Sequence, residues 1–141
     1  MRCLQSRLDF PLVTNQIELH PLQMDSLHDG TLDFAQEMKM NPMIWSPLAG
    51  GRLMNLEMGS SDARIGRVQA VLKKIANELG PKVTLDQVVF SWLLAHPSKP
   101  VVILGTNKID RVVQATGSFS ISLTNEQWFS IWEASMGKEV P

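Results

Sequence analysis

Val68, Val71, Leu72, Ile75, Ala76 and Leu79 recur three and four residues apart, the spacing that lines one face of a helix, and Gly80-Pro81 stops the run. Elsewhere the apolar residues come in short blocks. Val101 to Leu104 is four apolar, mostly β-branched residues in succession, which predicts a strand buried on both faces, as in parallel sheets covered by helices. Val13 to His20, VTNQIELH, has strand composition and stops at Pro21. Met43 to Leu48, MIWSPL, is a third short run, ended by Pro47 and then by Ala-Gly-Gly. Between these runs the chain predicts helices. One covers Thr31 to Met40 and breaks at Asn41-Pro42, because proline disfavours helix in the residue before it. Thr84 with Gln87 forms a capping box that opens a helix from Leu85 to about His96, ended by Pro97. Thr124 with Gln127 opens a last helix carrying Trp128, Ile131 and Trp132 on one face.

The order strand, helix, strand, helices, strand, helix lets consecutive strands join by crossovers into a parallel sheet, so the class is α/β with three strands. The loops after the strands, HPLQMDS, SPLAGGRL and GTNK, then share the sheet's carboxyl edge, where open α/β sheets and barrels bind ligands. Three parallel strands leave two unpaired apolar edges, which proteins cover, pair or close into a barrel. Leu4 and Leu8, four apart with no cap before them, predict that Met1 starts inside a helix. A preceding strand is therefore expected to be missing, and residues 1–141 read as a single incomplete domain.

The GTNKIDR turn carries candidate chemistry. Asn107 with Asp110 three residues on predicts a helix start, which would aim the Thr106 and Asn107 amides outward, with Arg111 a turn in. That arrangement is either an anion cradle or a capped helix with a surface arginine. Composition narrows the field. With 44% hydrophobic residues, a formal charge of −1 and no basic run, the chain offers no footprint for nucleic acid or an anionic membrane. The single Cys3 excludes an internal disulfide, and the chain has neither a long apolar stretch nor a signal-peptide core, so a cytoplasmic location is expected. Cys3, His20 and His28 are not at metal-ligand spacing. His20 and His96 each precede a proline at an element end, which favours structural roles.

NQIELHP, WSPLAGGRL and ILGTNKIDRVVQA, in that order at successive strand ends, together resemble the aldo-keto reductases. The resemblance implies the C-terminal half of a (β/α)8 TIM barrel, built on three parallel strands with covering helices, in an enzyme family that uses NADPH to reduce aldehydes or ketones. Carried onto this chain, it implies that Gln16 meets the nicotinamide carboxamide and that Trp45 stacks on the nicotinamide ring. Ser46, Leu48, Gly50 and Arg52 match the loop over the pyrophosphate, and Thr106, Asn107 and Arg111 the adenosine 2′-phosphate site. Gly105 stands where many relatives have lysine, and Ala115 where they have an asparagine near the adenine, leaving Gln114 as the closest match there and Lys108 as a substitute charge. From the residues alone, Gln16 also reads as a buried strand glutamine, Trp45 as core and Arg52 as solvated surface.

The family's reaction requires a tyrosine acid tuned by lysine and aspartate, with a histidine orienting the carbonyl. This chain contains no tyrosine, so no catalytic residue is assigned. Two expectations follow: an NADP-binding portion of a reductase that lacks the catalytic residues, or a non-catalytic half-barrel module that self-associates or pairs with an N-terminal half.

Overall fold

The computed structural model describes residues 1–139, with Ser60 described by its backbone alone. Among the described residues three strands, β1 (Gln16–Glu18), β2 (Met43–Trp45) and β3 (Val101–Val102), form one parallel sheet in the order β1-β2-β3. The register pairs Gln16 with Met43, Ile17 with Ile44 and Glu18 with Trp45, then Met43 with Val101 and Ile44 with Val102. The helices that accompany the strands are α1 (Arg2–Gln5), α2 (Thr31–Glu37), α3 (Met58–Ser61), α4 (Ala63–Leu79), α5 (Leu85–Leu94), α6 (Ile109–Thr116) and α7 (Asn125–Met136).

Side chains alternate across a strand, so each register position assigns a face. Ile17, Leu19 and Ile44 are buried and join Val68, Leu72 and Ile75 of α4, Val88, Val89, Trp92 and Leu93 of α5, and Ile131 of α7 in one core. The other face carries Gln16, Glu18, Met43, Trp45 and Val101, and none of these is buried. Helices thus cover one side of the sheet. This corrects the expectation for the Val101–Leu104 run: β3 is an edge strand, Val101 is 50% exposed, and only Val102 packs against the core.

The local signals act through hydrogen bonds. Thr124 and Gln127 exchange the two bonds of a capping box at 3.1 Å each, and the Thr84 N–H donates to Gln87 Oε1 at 3.1 Å. α4 starts five residues before Val68, because Asp62 Oδ1 accepts from the amides of Arg64 (2.8 Å) and Ile65 (3.2 Å). α6 starts later than Asn107 suggested: Lys108 is its N-terminal cap residue, and Asn107 lies outside the helix. No helix among the described residues is long and apolar enough to cross a membrane.

Candidate functional site at the carboxyl edge of the sheet

All three strands run the same way, so the segments after Glu18, Trp45 and Val102 emerge side by side on one edge. At the start of β1, Gln16 is exposed on the uncovered face and makes no side-chain hydrogen bond among the described residues, so its amide is available to a ligand. Two residues on, Glu18 shares that face. His20 beyond it is fully buried, and its ring is fixed at both nitrogens. Nδ1 accepts from the Leu22 amide at 3.1 Å, which leaves the proton on Nε2, 3.1 Å from Glu18 Oε1. Burial pushes the His20 pKa below its ordinary 6.5, opposed by the Glu18 hydrogen bond and charge and reinforced by Arg52 and Arg64. His20 is therefore a neutral donor that anchors the strand end.

At the end of β2, Trp45 is 41% exposed on the same face as Gln16. The chain then bends through four left-handed residues, Ser46 (φ 51°), Ala49 (φ 56°), Gly50 (φ 64°) and Gly51 (φ 89°). For Ser46 and Ala49 this conformation costs roughly 1–2 kcal/mol each. Burial of Ala49 and Leu53 in the core holds it in place. So do the Ala49 amide on the Ser46 carbonyl (2.8 Å) and Gln69 Nε2 on the carbonyls of Leu53 (3.2 Å) and Asn55 (2.8 Å). Gly50 and Gly51 are exposed, and a Cβ on either would meet no atom within 4 Å. Their main chain can consequently be approached closely from outside. Leu48 is half-buried against the core. Arg52 Nε donates to the Ala49 carbonyl at 3.0 Å, which braces the loop, while its two Nη groups have no hydrogen-bond partner among the described residues.

At the end of β3, Gly105 is exposed with open space where a side chain would be. Thr106 Oγ1 accepts from the Lys108 amide at 3.2 Å, shaping the turn into α6. Asn107 and Arg111 are exposed, and Arg111 is the third residue of α6, beside its N-terminal amides. Because α6 begins at Ile109, the outward amides at its start are those of the first helical residues, not of Thr106 and Asn107. Gln114 is occupied elsewhere. Its Nε2 donates to Thr84 Oγ1 (3.1 Å) and to both Asp86 oxygens (3.1 and 3.2 Å), and its carbonyl accepts from Gln87 Nε2 (2.7 Å). It ties α6 to α5; of the other ten residues, nine lie at or after the carboxyl ends of β2 and β3, and Gln16 stands at the start of β1 on the same face as Trp45. The residue that motif reading passed over is Glu18. Its cross-strand pairing with Trp45 is visible only in the fold.

The segments after β2 and β3 offer an exposed aromatic, an approachable glycine main chain and two exposed arginines, with the free Gln16 amide on the same sheet face, groups suited to an elongated, anionic, partly aromatic ligand. The aldo/keto reductase family model matches residues 1–135. Oxidoreductase YdhF of Escherichia coli (strain K12) is 42% identical over 98% of this chain, which spans 44% of that protein. Among solved structures, the thermostable aldo-keto reductase Tm1743 bound to the inhibitor epalrestat matches with a TM-score of 0.79 at 22% identity, over 94% of this chain and 43% of that one. A Gox0644 mutant in complex with NADPH matches with a TM-score of 0.69 at 23% identity, over 94% and 42%. The chain thus spans under half the length of the relatives it matches, and its three strands and covering helices correspond to the C-terminal half of their (β/α)8 barrel. With its fold, its matched residues and its sequence identity in agreement, the chain belongs to the aldo/keto reductase family.

Proposed function

We propose that this chain carries the NADP-binding portion of a cytoplasmic reductase that converts aldehydes or ketones to alcohols, with the carbonyl-activating residues outside these 141 residues. The observation that carries this reading is that Trp45, the left-handed Ala49–Gly51 loop and the turn leading to Arg111 all follow the carboxyl ends of parallel strands, with Gln16 at the start of β1 on the same sheet face as Trp45. In this reading Gln16 binds the nicotinamide carboxamide and Trp45 packs on the ring. The main chain of Ser46, Leu48 and Gly50 lies against the pyrophosphate, with the Arg52 Nη groups neutralising charge. Thr106, Asn107 and Arg111 take the adenosine 2′-phosphate, with Lys108 and the start of α6 adding positive potential and Gly105 leaving space beside it. NADPH, when bound, supplies the hydride; the residues here bind and orient it. The test is Arg111→Ala. NADPH affinity is expected to fall about tenfold, roughly 1.5 kcal/mol, while NADH affinity holds, because only NADPH has the phosphate. Equal weakening of both cofactors, or of neither, overturns the assignment.

A second reading is a half-barrel interaction module. The uncovered sheet face, with Trp45 and Val101 exposed, and the outer edges of β1 and β3, unpaired among the described residues, favour it. The partner is then a second copy or an N-terminal half-barrel. A defined dimer in sedimentation that excludes dinucleotide supports this reading over the first.

A further inference from the structure

We propose that Glu18 belongs to the same site and that its carboxylate, positioned by His20, favours the oxidised dinucleotide over the reduced one. The inference rests on the dinucleotide reading above and adds a residue that the family motif did not assign. Three observations carry it. Glu18 shares the uncovered face with Gln16 and pairs with Trp45 across the sheet, so its backbone lies one strand spacing, about 4.8 Å, from that of the ring-stacking candidate. Its side chain is 31% exposed, shielded enough for charge to count. Its one ion-pair contact among the described residues is His20 Nε2, a neutral donor that orients the carboxylate without cancelling its charge. Arg52 and Arg64 act on His20 electrostatically, yet neither pairs with Glu18, since Arg52 Nε donates to the Ala49 carbonyl and Arg64 Nη2 to Ser135 Oγ.

A partly shielded carboxylate that has no direct ion pair with a lysine or arginine is stabilised by a cationic neighbour placed beside it. The oxidised nicotinamide ring carries a positive charge, whereas the reduced ring is neutral. Glu18 therefore discriminates between two ligands of nearly identical shape.

The experiment compares the chain with Glu18→Gln and Glu18→Asp, using calorimetric titration with NADP+, NADPH and adenosine 2′,5′-bisphosphate. Glutamine keeps an acceptor for His20 and removes only the charge; aspartate keeps the charge. The glutamine variant is expected to lose about threefold to tenfold in NADP+ affinity, to hold or gain NADPH affinity, and to leave the bisphosphate, which has no nicotinamide, unchanged. The aspartate variant is expected to retain the preference for NADP+ relative to the glutamine variant. If Glu18 serves only to anchor His20, NADP+ and NADPH shift equally, and that result overturns the proposal while leaving dinucleotide binding intact. If the unmodified chain binds none of the three ligands, the dinucleotide reading falls and this inference falls with it. Should the glutamine variant not fold, Glu18→Ala is titrated in its place: a lost NADP+ preference with unchanged bisphosphate affinity supports the proposal, and an unchanged NADP+ to NADPH ratio overturns it.

Discussion

Under the dinucleotide reading, Gly105 is a position at which selectivity can be altered without disturbing the fold. It is exposed, lies outside the left-handed region and has no atom within 4 Å of the point where a Cβ would stand, so a side chain fits there. Gly105→Lys is expected to tighten NADPH binding severalfold relative to NADH, because a second cation then faces the 2′-phosphate. Parallel titrations check this, and an unchanged ratio places the phosphate elsewhere. Gln114 makes the opposite case. Motif matching assigns it to the adenine; in the fold its side-chain Nε2 donates to Thr84 and Asp86, and its main-chain carbonyl accepts from Gln87. Gln114→Ala is expected to cost about 1 kcal/mol of stability and to leave adenosine 2′,5′-bisphosphate affinity unchanged. Trp45 and Arg111 are exposed in the fold, and the strand ends at or before them are legible from the proline and glycine that follow each run. Glu18 escaped because its significance depends on the cross-strand partner Trp45, which spacing along the chain does not reveal.

Element boundaries followed the chemistry of their caps. The boxes at Thr84 and Thr124 placed two helix starts, since a threonine and a glutamine three residues on satisfy otherwise unpaired amides. The start of α4 was harder to read. Its first turn, Ala63 to Gly66, presents only Ile65 as a buried apolar residue, so the apolar spacing emerges only from Val68. Asp62→Ala removes both acceptor contacts to Arg64 and Ile65 and is expected to cost about 1 kcal/mol, a fall in thermal midpoint of roughly 3 °C. Asp62→Ser, which keeps a capping oxygen, recovers most of it. A midpoint unmoved by alanine means that tertiary packing alone fixes the helix start. The run Val101–Leu104 misled for a different reason. Its apolar composition suits a strand covered on both sides, whereas this chain supplies cover on one side only.

The molecule's response to acid follows from one buried and one half-buried imidazole. His20 and His96 are both held below 6.5 by burial, more than neighbouring carboxylates restore. Between the lowered folded values and 6.5 the unfolded chain binds more protons, so this contribution is complete above pH 6.5 and is lost as pH falls through the folded values. The thermal midpoint is expected to be lower at pH 5.5 than at pH 7.5. Asp29, held below its usual 3.8 by Thr31, adds a loss of the same sign only in stronger acid. A midpoint flat across pH 5.5–7.5 contradicts the imidazole account. The uncovered face sets a second expectation, that sedimentation shows concentration-dependent association. A monomer at all concentrations with one sharp thermal transition contradicts it.

The four tryptophans fall into two optical populations. Trp92 and Trp128 stack at 5.2 Å between centroids, and each indole donates to the other's carbonyl, at 3.1 and 3.0 Å; Trp132 stands edge-on to Trp128 at 6.0 Å. Rings held so close share excitation and give a near-ultraviolet dichroic signal that exists only while α5 and α7 stay docked. Trp45 sits apart on the uncovered face, open to water and to soluble quenchers. Iodide is therefore expected to dim Trp45 first, so the same cuvette follows the uncovered face through Trp45 and the integrity of the helical layer through the other three.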